Sequence, residues 1–75
     1  MDTIDVTYII YVKGGVVFKK YTKRYTAEIS EDVKYEVRRI KKMARARTIA
    51  QKTLRSVKVY AKMNDKTKLF REVVL

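Results

Sequence analysis

Residues 4–17 read Ile4-Asp5-Val6-Thr7-Tyr8-Ile9-Ile10-Tyr11-Val12-Lys13-Gly14-Gly15-Val16-Val17, and the fold turns on this stretch. Ile4, Val6, Tyr8, Ile10 and Val12 point one way, and Asp5, Thr7, Ile9 and Tyr11 the other. A period of two, carried by β-branched and aromatic residues, predicts a strand. Gly14-Gly15 supplies the positive φ that a tight two-residue hairpin needs. A second strand follows from Val16 to about Tyr25.

That turn sets a register. Lys13 opposite Val16 puts Tyr11 opposite Phe18, Thr7 opposite Thr22 and Asp5 opposite Arg24. An aromatic pair, a threonine pair and a charge pair are all favourable across strands. The other face receives Val12 with Val17 and Tyr8 with Tyr21.

Working outward, Ser30-Glu31-Asp32 reads as an N-cap followed by two acids where the helix dipole favours them. Val33, Val37, Ile40, Met43 and Ala44 recur at three and four, which makes one apolar stripe. Ala50 and Leu54 extend it, so the helix is expected over 31 to about 53. Arg47 and Gln51 project into the stripe, as they would if the helix end overhangs the sheet. Val57, Val59, Ala61 and Met63 then alternate with Lys58, Tyr60 and Lys62 in a third strand. Asn64-Asp65-Lys66 is turn material, and a fourth strand spans about 67–74. A three-residue loop pairs Val57 with Val73, Ala61 with Leu69, Lys58 with Glu72 and Tyr60 with Phe70. A two-residue loop would set apolar against charged residues and is rejected on that ground.

The expectation is therefore an α+β fold, a ββαββ two-layer sandwich. In it a four-stranded antiparallel sheet of two hairpins packs on one long amphipathic helix. It forms a single domain over 1–75: a hairpin at about 3–25, a helix at about 31–53 and a hairpin at about 56–74.

Composition narrows the chemistry. The 75 residues include no cysteine and no histidine, so neither a disulfide nor a thiolate or imidazole metal site is available. Nineteen basic residues against eight acidic give +11, with +2 in residues 1–30 and +9 in residues 31–75. A field of that sign draws nucleic acid, anionic headgroups or acidic proteins. The acidic start Met1-Asp2-Thr3-Ile4-Asp5 does not resemble a signal peptide, and no apolar run approaches the roughly 20 residues of a membrane span. A soluble cytoplasmic protein is expected.

Catalysis finds little support. The carboxylates are Asp2, Asp5, Glu28, Glu31, Asp32, Glu36, Asp65 and Glu72, and most fit a strand pair, a helix cap or a turn. Asp65-Lys66-Thr67-Lys68 comes closest to the acid and lysine cluster of a metal-dependent nuclease, but in a turn aspartate is ordinary. Tyr8-Ile9-Ile10-Tyr11 before a turn and second strand resembles the opening of the GIY-YIG endonucleases. The second signature triplet is absent at Val16-Val17-Phe18, so no catalytic role carries across. No glycine-rich phosphate loop is present. The expectation is a protein that is not an enzyme, with no catalytic residue, no metal and no cofactor.

The strongest constellation is Arg38-Arg39-Ile40-Lys41-Lys42-Met43-Ala44-Arg45-Ala46-Arg47, six cations in ten residues. Like charges at i,i+3 and i,i+4 each cost a helix roughly 0.2–0.5 kcal/mol, and acids that would pair with them are scarce after Glu36. On the wheel, Lys34, Arg38, Lys41, Lys42, Arg45 and Lys52 fall in one arc of roughly 100° beside or opposite the core stripe. Such an arc is either a solvated face or a track for successive phosphates, and the missing acids favour the track. Arg39 lies off the arc. A second surface is the outer sheet face, where Tyr11, Phe18, Tyr60 and Phe70 mix with Lys20, Arg24, Lys58, Lys62 and Lys68. Aromatics interleaved with cations there suit a homodimer contact or base stacking. The reading is a small basic nucleic-acid-binding protein, for DNA or RNA. The alternative is a phage- or plasmid-type accessory or inhibitor protein docking on an acidic protein partner.

Overall fold

The computed structural model describes residues 3–26, 28–46 and 54–75, the side chains of 43–46 excepted. Along the chain it forms β1 (Thr3–Val12), β2 (Val16–Thr26), α1 (Ser30–Ala46), β3 (Leu54–Met63) and β4 (Lys66–Val74). The strands make one antiparallel sheet in the order β2-β1-β3-β4, so the fold is α+β. The strands with the cleanest apolar alternation, β1 and β3, are central and bury one face each: Ile4, Val6, Tyr8 and Ile10 from β1, and Leu54, Val57, Val59 and Ala61 from β3. Both edge strands carry lysines, Lys19, Lys20 and Lys23 in β2 and Lys66 and Lys68 in β4, which discourage pairing with a further strand.

α1 closes the core with Val33, Val37 and Ile40, joined by Ile29 just before it. The N–H of Val33 donates to the carbonyl of Ile29 at 2.8 Å. Ile29 thus occupies the cap position, and Ser30, expected there, is the first helical residue. Glu31 and Asp32 lie in the first turn, where the dipole stabilises them. The helix was expected over 31 to about 53. The described helix ends at Ala46, and residues 47–53, including Arg47, Ala50 and Gln51, lie outside the described residues. Leu54, assigned to the helical stripe by periodicity, is instead the buried first residue of β3, opposite Val12.

The two hairpins correct the expected registers in the same way. Thr7–Thr22, Asp5–Arg24 and Tyr8–Tyr21 pair as predicted. Nearer the turn the loop is Lys13-Gly14-Gly15, closed by a bond from the Gly15 N–H to the Val12 carbonyl at 3.2 Å, with φ of 90° and 76° at the glycines. Val12 therefore pairs with Val16 rather than Val17, and Tyr11 with Val17 rather than Phe18. Carried to the far end, that register would place Lys20 opposite Tyr8 and Arg24 opposite Ile4, on the buried face. A bulge between Ile10 and Tyr11 removes the conflict and leaves Phe18 as the extra residue.

The second hairpin uses the two-residue turn rejected above. Asn64 and Asp65 adopt φ of 49° and 64°, the left-handed pair that such a turn requires. Met63 pairs with Lys66, Ala61 with Lys68 rather than Leu69, and Tyr60 with Leu69 rather than Phe70. Continued unbroken, this register would bring Glu72 onto the core face opposite Val57. A bulge between Val59 and Tyr60 restores Val57–Val73 and Lys58–Glu72 as predicted, with Phe70 the extra residue.

Candidate nucleic-acid interface

Because the helix stripe is narrower than the sheet, α1 leaves a groove on each flank. On the β4 side the groove holds about 330 Å³ and is lined by Lys34, Val37, Arg38, Lys41, Arg71 and Val73. Lys34, Arg38 and Lys41 come from the predicted arc, three and four residues apart on one flank of the helix. Arg71 was not predicted for this site. It pairs with Val59 and so belongs to the helix side of the sheet. The expected register, which pairs Val57 with Val73, already sets Arg71 opposite Val59; the bulge displaces only the residues between it and the turn. Lys34 forms an ion pair with Glu31 at 3.8 Å, while Arg38 and Lys41 are in no ion pair among the described residues. Lys42 is exposed. The Arg45 side chain and all of Lys52 lie outside the described residues.

The opposite flank holds a feature that sequence reasoning missed. Glu36 sits in the buried stripe, 5% exposed, and is the one buried charged residue among those described. Its Oε2 accepts a bond from the Tyr21 hydroxyl at 2.6 Å, and its Oε1 accepts from Lys23 Nζ at 3.0 Å and Arg39 Nη1 at 3.1 Å. Tyr21 stacks on Tyr8 with ring centroids 5.2 Å apart, and the Tyr8 hydroxyl bonds that of Tyr25 at 2.9 Å. The available signal was spacing: Glu36 lies three residues after Val33 and four before Ile40. A carboxylate in that stripe must find donors on the facing strand. Here β2 supplies them at alternate positions, Tyr21 and Lys23. Arg39, off the basic arc as expected, is occupied by Glu36.

Burial acts to raise the Glu36 pKa. The bonds from Tyr21 and Lys23 and the charges of Lys23 and Arg39 outweigh it, so the carboxyl titrates below its usual range. Burial first, and then the bond to Glu36, push the Tyr21 phenol well above its ordinary value. A depressed carboxyl contributes stability above its unfolded-state pKa of about 4.3, and that contribution is lost as pH falls through the folded value. Glu36→Gln keeps the shape but removes the charge. Its melting temperature is expected to lie below wild type at pH 7, with the gap closing as pH drops below about 4. A gap of constant size in thermal melts from pH 7 to pH 3 would contradict this role for Glu36.

The outer sheet face is smaller in aromatic content than predicted. Tyr11 and Tyr60 share it, with Lys58 Nζ 5.5 Å from the Tyr11 ring centroid. Phe18 packs instead against the buried core, and Phe70 lines a cavity with Ile4 and Ile29 on the helix side. Lys68, opposite Ala61, also belongs to the helix side. The acids on the outer face are paired, Asp5 with Arg24 at 2.9 Å and Glu72 with Lys58 at 3.9 Å. Among the described residues no helix is long and apolar enough to cross a membrane, and no group of three or more acids could hold a metal ion. In comparisons with known proteins, no family model, no curated protein and no solved structure matches the chain.

Proposed function

We propose that the chain is a non-enzymatic nucleic-acid-binding protein that holds successive phosphates along the groove between α1 and β4. One observation carries this reading: Lys34, Arg38 and Lys41 from the helix converge with Arg71 from the sheet on a groove with no acid among the described residues of its lining. Two rigid elements thus present cations at a repeating spacing to one concave surface, the arrangement a polyanion backbone can follow. Lys42, exposed on the same helix, extends the track, and Arg45 and Lys52 follow it in the chain. Binding of this kind depends little on base sequence and steeply on salt, because each phosphate contact releases a counterion.

Four contacts give a log–log salt slope of about −3 to −3.6, so affinity should fall about 50- to 150-fold between about 50 and 200 mM salt. Fluorescence anisotropy with labelled 12-nucleotide single strands and duplexes measures it. No binding at the low-salt end by folded protein, or an affinity indifferent to salt, would sink the proposal.

A further inference from the structure

We infer that the notch at the helix N-terminal end of this groove takes one unstacked base of a single-stranded nucleic acid, against the ring of Phe70. The inference rests on reading the α1–β4 groove as the phosphate track. The notch holds about 610 Å³, and its apolar floor comes from Ile4, Ile29 and Ala61, all buried. Phe70 lines it while remaining 43% exposed, an aromatic face with no counterpart in the core. The bulge in β4 accounts for the ring's position, since an extra residue re-aims a side chain and Phe70 is that residue.

Charge sets the occupant. Lys66 and Lys68 stand on the hairpin lip of the notch, and neither is in an ion pair among the described residues. Glu28 stands among the lining residues too, and its carboxylate repels phosphate, which leaves the backbone to the lysine lip. The next residue after Phe70 is Arg71, which lines the phosphate groove. Notch and groove are therefore joined through consecutive residues of one strand. A backbone followed along the groove past Arg71 reaches the lysine lip with a base beside Phe70. In a duplex the bases are stacked on each other and cannot enter, so the notch distinguishes single strands. An aromatic wall with flanking cations binds any base, because every base has a π-face.

The test is anisotropy at about 50 mM salt with a mixed 12-nucleotide single strand, the same sequence as a duplex, and an abasic sugar-phosphate strand of equal length. Removing a stacking ring costs about 5- to 150-fold per base. Phe70→Ala should show that loss on the normal single strand only, with the salt slope unchanged and no change on the abasic strand or the duplex. Phe70→Tyr, which keeps the ring, should bind as wild type. A thermal melt of each variant establishes that it is folded. If Phe70→Ala binds the single strand as wild type does, or weakens all three ligands alike, the notch assignment is wrong while the phosphate track stands. If wild type binds none of the three, the track falls and the notch with it.

Discussion

Charge reversal at two groove positions, Arg38→Glu with Lys41→Glu, is expected to weaken single-strand binding about 100-fold or more at about 100 mM salt. Each phosphate contact on a single strand contributes about 0.7 to the salt slope, which at that salt is worth about 5-fold in affinity. Losing two contacts removes about 25-fold, and two carboxylates aimed at the same phosphates add repulsion. The slope itself should fall by about 1.4. Both side chains are exposed and neither is in an ion pair among the described residues, so the variant should fold. The reversed charges at 38 and 41 still repel each other, but the acid at 38 gains opposite charges four residues away at Lys34 and Lys42, which supports the helix slightly. A binding curve superimposable on wild type, with the slope intact, would place the nucleic acid elsewhere on the molecule.

The second large effect concerns what holds the groove in shape. Tyr8→Ala is expected to cost about 3–5 kcal/mol, the range for deleting a fully buried aromatic. Tyr8 is wholly buried at the centre of the sheet, stacked on Tyr21 and bonded to Tyr25. A chain of this size has roughly 4–11 kcal/mol of total stability, so the variant should be mostly unfolded or melt about 15–30 °C lower. Tyr8→Phe isolates the hydroxyl. It keeps the stack and loses only the bond to the half-buried Tyr25, so about 0.5–1.5 kcal/mol is expected. Thermal and urea unfolding separate the two variants. A Tyr8→Ala protein within about 1 kcal/mol of wild type would mean that the β2–β1 face is not the packing centre.

What the chain alone reveals divides along physical lines. Period-two alternation identified β1 and β3, the turn signals after them placed β2 and β4, and the paired residues far from each turn identified the register there: Asp5 with Arg24, Thr7 with Thr22, Val57 with Val73 and Lys58 with Glu72. Close to each turn the loop geometry prevails instead, because its positive-φ residues fix how the strands leave it. Burial of the far ends and closure of the turns demand registers one residue apart, and a bulge in each hairpin satisfies both. Alternation carries no mark of a bulge. Phe18, Lys68 and Phe70 were therefore assigned to the wrong face. Arg71 stood opposite Val59 in the expected register too, and was missed at the site because the track was sought on the helix alone. On the helix, the arc of Lys34, Arg38 and Lys41 was legible because an α-helix repeats without interruption over that span. Glu36 was hidden by its type, since a carboxylate at a core position is rare unless partnered, and its partners lie on a strand 13 and 15 residues away. Ile29 was hidden by its place just outside the helical pattern.

Whether nucleic acid lies along the α1–β4 groove can be measured by NMR titration of ¹⁵N-labelled protein with a 12-nucleotide single strand at low salt. Amide shifts concentrated at Lys34, Arg38 and Lys41 of α1 and at Arg71 of β4, reaching Lys68 and Phe70 at the notch, are the predicted result. Shifts confined to Tyr11, Lys58 and Tyr60 on the outer sheet face, with the groove silent, would contradict it.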